Sequence, residues 1–170
     1  MTAYVALLRA VNVGGRKLAM AELKRLAEEA GLDNPKTFIA SGNLLFASGK
    51  SESAVARLLE ARLKEHMKAE VPVLIRTAAE MAAVAKANPF PDEPGSKVAA
   101  IFLEKAPPKD ALEKASGIAD ERLALGAREI YVHYPSGMGR SKLRLPAAAG
   151  GTARNMNTVA KLAAMAKEVE

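Results

Sequence analysis

Apolar positions along the chain follow two periods. Residues 4–8 form a short continuous apolar run, the pattern of a central strand. Ala19, Met20, Leu23, Leu26, Ala27 and Ala30 then recur three and four apart, which predicts a helix over 19–30 stopped by Gly31. Strands are expected over 36–40 and 44–47, joined by Ser41-Gly42-Asn43, where Gly and Asn tolerate positive φ. Ser51 is placed to cap a second helix, with Glu52 in its first turn and Val55, Leu58, Leu59, Leu63 and Met67 on its buried face. Residues 71–76 read as a strand, and Pro72 stands near its start, where no ladder donor is lost.

That order, β-α-β-β-α-β over 4–77, is ferredoxin-like. The second half repeats much of it. A short helix is expected over 79–87, then a proline-rich loop over 88–95 that could act as a hinge or lid, then a strand over 98–103. Pro107 and Pro108 open an expected helix that Gly117 ends. Strands over 121–125 and 128–134 meet at Gly126. A long polar loop follows, and a last helix from about 154 to 167 carries Val159, Leu162, Ala163, Ala166 and Val169 on one stripe. The expected fold class is therefore α+β. It comprises two tandem ferredoxin-like units with antiparallel sheets, over 1–77 and 78–170.

Composition narrows the function classes. The 170 residues suffice for one ordinary domain or two small ones. With aromatics at 4 % and hydrophobic residues at 49 %, the core must be built from Ala, Leu, Val, Ile and Met. The absence of cysteine excludes a disulfide scaffold, a thiolate nucleophile and a cysteine zinc site. No apolar run approaches membrane-spanning length, so a cytoplasmic protein with no membrane partner is expected.

The net charge of +6 is unevenly placed. Residues 1–21 hold Arg9, Arg16 and Lys17 with no carboxylate. Residues 130–167 hold Arg140, Lys142, Arg144, Arg154, Lys161 and Lys167, again with none. The rest of the chain is net negative. Either two short acid-poor windows arose by chance, or a basic face forms where the two ends meet.

The loop Asn12-Val-Gly14-Gly15-Arg16-Lys17 exposes backbone N–H groups between a strand and a helix. Its glycines would let a ligand approach the backbone. It matches neither nucleotide-binding glycine pattern. The alternative is a tight turn with Arg9 salt-bridged. In a ferredoxin-like sheet, Ser41-Gly42-Asn43 should lie at the sheet end where this loop leaves. Near the C-terminus, 137–142 reads as a flexible basic loop. Thr152 or Asn155 could cap the last helix, leaving Arg154, Asn157 and Thr158 in or near its first turn.

Four segments stand in one order: Ala-Leu-Leu-Arg9-Ala-Val-Asn12-Val-Gly14-Gly15, Thr37-Phe-Ile-Ala-Ser41-Gly42-Asn43-Leu-Leu-Phe46, Arg140-Ser141-Lys142-Leu143 and Thr152-Ala-Arg154-Asn155-Met-Asn157-Thr158-Val-Ala-Lys161-Leu162. Together they resemble the bacterial family known as domain of unknown function 1697, over nearly the whole chain. The resemblance implies two ferredoxin-like units and brings no activity with it. Met156 stands where the pattern leads one to expect Trp, which removes an aromatic platform at that position.

Other chemistry is thinly represented. His66 reads as solvated, and His133 as a sheet-surface residue. Two histidines and no cysteine make no metal cluster. Ser136 and Ser141 lack a nucleophile-elbow context, and no paired carboxylates stand in a polar loop suited to acid/base work, Asp92 and Glu93 in the proline-rich loop being the one thin candidate. No cofactor is called for, and whether a reaction is catalysed stays open. The leading expectation is a small phosphate- or carboxylate-bearing ligand at a composite basic site, one wall in the loop after the first strand and the other at the start of the last helix, held by Arg9, Asn12, Gly14, Gly15, Lys17, Ser41, Gly42, Asn43, Lys142, Arg154, Asn155, Asn157 and Thr158. The alternatives are a nucleic-acid-binding module using the same basic surface, although Phe38 and Phe46 read as core, and a protein-interaction domain whose partner is acidic or a second copy.

Overall fold

The computed structural model describes residues 1–12 and 16–169. The expected ligand-binding residues Gly14 and Gly15 lie outside them. The chain is α+β and divides into two compact units: Met1–Ala82 with Leu162–Glu170, and Ala83–Lys161.

The first unit runs β1 (Thr2–Leu8), α1 (Met20–Glu29), β2 (Asp33–Phe38), β3 (Asn43–Ser48), α2 (Glu52–Met67) and β4 (Val73–Thr77). Its antiparallel sheet has the order β2-β3-β1-β4. β1 is central, which explains its uninterrupted apolar run: every residue from Ala3 to Leu8 is buried. On one face Tyr4, Ala6, Leu8, Leu44, Phe46, Val73 and Ile75 pack with Leu23, Leu26, Val55, Leu59 and Leu63 of the helices. Burying each of these leucines contributes about 2 kcal/mol. The Ser51 hydroxyl accepts from the Ala54 N–H at 3.3 Å and caps α2. Gly31, at φ +81°, follows α1 in the left-handed conformation.

The second unit carries β5 (Val98–Phe102), β6 (Arg122–Leu125), β7 (Glu129–His133) and β8 (Thr152–Asn155), in the order β6-β7-β5-β8. Helices α3 (Ala78–Lys86) and α4 (Met156–Val169) each run from one unit into the other along the chain, and with α1 and α2 they make four α-helices among the described residues. One face of this sheet buries Ala99, Ile130, Val132 and Tyr134 under Leu112, Leu143, Leu145 and Ala147.

Two expectations are corrected here. The helix opened by Pro107 and Pro108 does not form. Residues 109–114 are turns held by bonds such as Ala111 N–H to the Pro108 carbonyl and Glu113 N–H to the Asp110 carbonyl. The segment is too short to propagate a helix before Ser116 must extend to pair with Arg144. The last helix begins at Met156, because 152–155 forms β8 against β5 instead. Thr152 and Arg154 are buried while Ala153 and Asn155 are half-buried, the alternation of a strand. Among the described residues the second unit therefore has turns where the first has crossover helices.

Candidate functional site

Each expected wall is described in its own unit. In the first, the chain leaving β1 is tied to the hairpin turn: the Leu8 N–H donates to the Gly42 carbonyl at 2.9 Å, and Gly42 packs against Leu8 and Val11. Val11 and Asn12, at the start of the opening loop, and Ser41-Gly42-Asn43 therefore do lie together at one sheet end. Their amide side chains are occupied with backbone. Asn12, at φ +57°, donates from Nδ2 to the Leu18 and Ala40 carbonyls at 3.0 and 2.6 Å and accepts the Leu18 N–H at 2.8 Å. Asn43 is fully buried and donates to the Phe38 carbonyl at 2.9 Å and to the Ser41 hydroxyl at 3.0 Å. Ser41 and Lys17 are exposed and Arg9 is half-buried. Phe46 is fully buried, with its ring 5.7 Å from Tyr4, so it presents no face for base stacking.

In the second unit, Arg154 lies within β8 rather than at a helix start. It is 6 % exposed, and its Nη1 donates to the Thr152 hydroxyl at 2.8 Å and the Ala153 carbonyl at 2.9 Å. Burial pushes its guanidinium down to about 10, which leaves it charged at neutral pH. Asn155 accepts the Thr158 N–H at 2.9 Å and so caps α4. Asn157 lies against Gly95, and Thr158 is buried. Of the expected C-terminal residues, Lys142 is the one with an exposed charge.

Lys142 lines a cleft of about 370 Å³ with Gly117, Asp120, Glu121, Tyr134, Ser136, Arg140 and Ser141. Arg140 and Lys142 are exposed, and neither charged group has an ion pair or hydrogen bond among the described residues. Tyr134 is 8 % exposed, and its phenol is pushed up by burial and by the neighbouring Glu121 carboxylate. A cleft of similar size in the first unit is lined by Arg25, Leu26, Glu29, Arg62, Glu65 and His66. Its charges are partly self-neutralised: Arg25 pairs with Glu29 and, at 2.5 Å, with Glu22.

A third cluster lay outside the expectations. His133 is 5 % exposed, not a surface residue. Its Nδ1 is 3.1 Å from Arg122 Nη2, its Nε2 is 3.4 Å from the Glu93 carboxylate, and its ring is 5.7 Å from Phe90. A guanidinium only donates, so Nδ1 is the acceptor and the imidazole proton sits on Nε2, facing Glu93. The proline-rich loop is thereby fastened to the sheet. A sequence offers no signal that pairs residues this far apart; the only hint was a carboxylate in that loop.

A family model described as a protein of unknown function (DUF1697) matches residues 1–131, and the chain belongs to that family. Among solved structures it is similar to the conserved bacterial protein SP0830 from Streptococcus pneumoniae. The two are 26 % identical with a TM-score of 0.82, over 98 % of this chain and 99 % of that one. No curated protein matches. No helix is long and apolar enough to cross a membrane among the described residues.

Proposed function

We propose that this protein binds a small anionic ligand, and that the anion is held by Arg140 and Lys142 at the rim of the 370 Å³ cleft. One observation carries the reading: two exposed cations border a concave site and neither forms an ion pair among the described residues. The Ser136 and Ser141 hydroxyls stand beside them as neutral donors. An isolated exposed cation is ordinary; two on one cleft provide both neutralisation and hydrogen bonds for a phosphate or carboxylate. We also read the two sheets as tandem ferredoxin-like units, supported by their common strand order, with the second unit's crossover helices replaced by turns.

Thermal denaturation against phosphate, nucleotides and dicarboxylates tests the assignment. A ligand at one hundred times its Kd should add about 2.7 kcal/mol of stability, a rise of several degrees in Tm. Arg140→Ala with Lys142→Ala should abolish that shift. No shift with any anion in the wild-type protein overturns the proposal. Retention of RNA or DNA with a steep salt dependence would instead favour the nucleic-acid reading.

A further inference from the structure

We infer that the ligand of this cleft is a zwitterion of amino-acid size, carrying an ammonium group as well as an anion. The inference rests on the anion-binding reading above and adds a second, oppositely charged pole to the same site. Two walls form the cleft. Residues 136–142 supply Arg140 and Lys142; residues 117–121 supply Asp120 and Glu121; Tyr134 lies beside them.

The spacing of the walls is fixed by backbone. Ser116 and Arg144 exchange both N–H···O bonds, at 2.9 and 2.8 Å. Next to that bridge Gly117, at φ +71°, approaches so closely that a Cβ there would stand 2.2 Å from the Lys142 carbonyl oxygen.

The acidic wall is the informative one. Glu121 is 8 % exposed and accepts the Ala119 N–H at 3.1 Å, yet no cation pairs with it among the described residues. Asp120 accepts the Ser136 hydroxyl at 2.5 Å and likewise has no cationic partner. Burying a carboxylate without a counter-charge is costly. The cleft's own arginine and lysine could have neutralised these carboxylates and do not. The site thus keeps two cations and two carboxylates apart across one small volume. A bare anion satisfies one pole and is repelled by the other. A molecule bearing ammonium and carboxylate satisfies both, and the volume suits a small metabolite.

Isothermal titration of the full chain with the free proteinogenic L-amino acids, their Nα-acetyl counterparts and inorganic phosphate decides the matter. Acetylation removes the positive pole and keeps the carboxylate. At least one free amino acid should bind about tenfold or more tightly than its acetylated form, and Glu121→Gln should bring that ratio close to unity. If Glu121→Gln does not fold, Asp120→Asn, at an exposed position, makes the same comparison with a smaller expected drop. Acetylated forms that bind as well as free ones overturn the inference and leave the anion reading standing. So does phosphate binding without any amino acid binding. If neither phosphate nor any amino acid binds, the inference fails, and the anion reading fails with it only when nucleotides and dicarboxylates also give no thermal shift.

Discussion

Asn12 and Leu18 hold each other at two points: the Asn12 amide donates to the Leu18 carbonyl at 3.0 Å and accepts the Leu18 N–H at 2.8 Å. One side chain thus imitates a strand neighbour and closes the loop that follows β1. The third bond, to the Ala40 carbonyl, fastens that loop to the β2–β3 turn. This gives the asparagine a structural duty that competes with holding a ligand. Asn12→Ala loses three hydrogen bonds and leaves a Cβ residue at positive φ, and should lower stability by about 2–4 kcal/mol in urea unfolding. Asn12→Gly escapes the second penalty and should recover about 1 kcal/mol of it.

Gly42 is constrained twice, by its φ of +91° and by the floor beneath it. A Cβ there would lie 2.6 Å from Val11 Cγ2 and 2.9 Å from Leu8 Cβ. Gly42→Ala should destabilise the chain by about 2–4 kcal/mol. Adding Val11→Ala should restore only part of this, because the backbone conformation is still unfavourable. A full rescue in denaturant titration would mean that the clash alone matters.

Gly95 and Asn157 form a testable pair within the second unit. A Cβ on Gly95 would meet Asn157 Oδ1 at 2.2 Å and Cγ at 2.9 Å, both side-chain atoms, with the backbone nitrogen at 3.2 Å. Gly95→Ala should therefore be destabilising alone and largely tolerated together with Asn157→Ala. A double-mutant cycle should return a coupling of about 1–2 kcal/mol. Additive effects would show that the two positions do not touch in solution.

Tyr131 predicts an alkaline limit. Its hydroxyl donates to the Val84 carbonyl at 3.0 Å, and burial, with the Glu129 carboxylate, pushes the phenol up to about 12. The folded state then holds a proton that the unfolded state releases near pH 10, so stability falls as pH rises from about 10 to 12. The loss approaches about 2 kcal/mol. Burial of Arg154 acts in the opposite sense, since lowering a cation's affinity for its proton makes stability rise with pH above about 10. The difference between wild type and Tyr131→Phe isolates the tyrosine: the two stability curves should converge across that window.

What the sequence disclosed was periodic. β1, α1 and α2 repeat their apolar spacing over enough residues to be read directly, and Ser51 announced its own cap. The adjacency of the Arg9–Lys17 loop and Ser41-Gly42-Asn43 followed from sheet topology, and the contact of Gly42 with Leu8 and Val11 agrees. β8 was hidden because it spans four residues, two of them Arg154 and Asn155, whose types suit a helix start as well as a strand. The 109–114 turns were hidden because composition favoured a helix while pairing of Ser116 with Arg144 decided otherwise. Asp120, Glu121 and Tyr134 gave no sign of sharing a cleft with Arg140, since only the folded path of the chain brings them together.

The turns that stand in the second unit where the first has helices bear on how firmly the segments around that cleft are held. A helix orders cooperatively, so shifting one residue disturbs a whole turn or more. The cover of the second sheet is instead stitched by separate i to i+3 bonds and a single two-bond bridge. Each stitch can open alone. The loops carrying these stitches are therefore expected to open at lower free energy than β5 and β7, whose ladder does not depend on them.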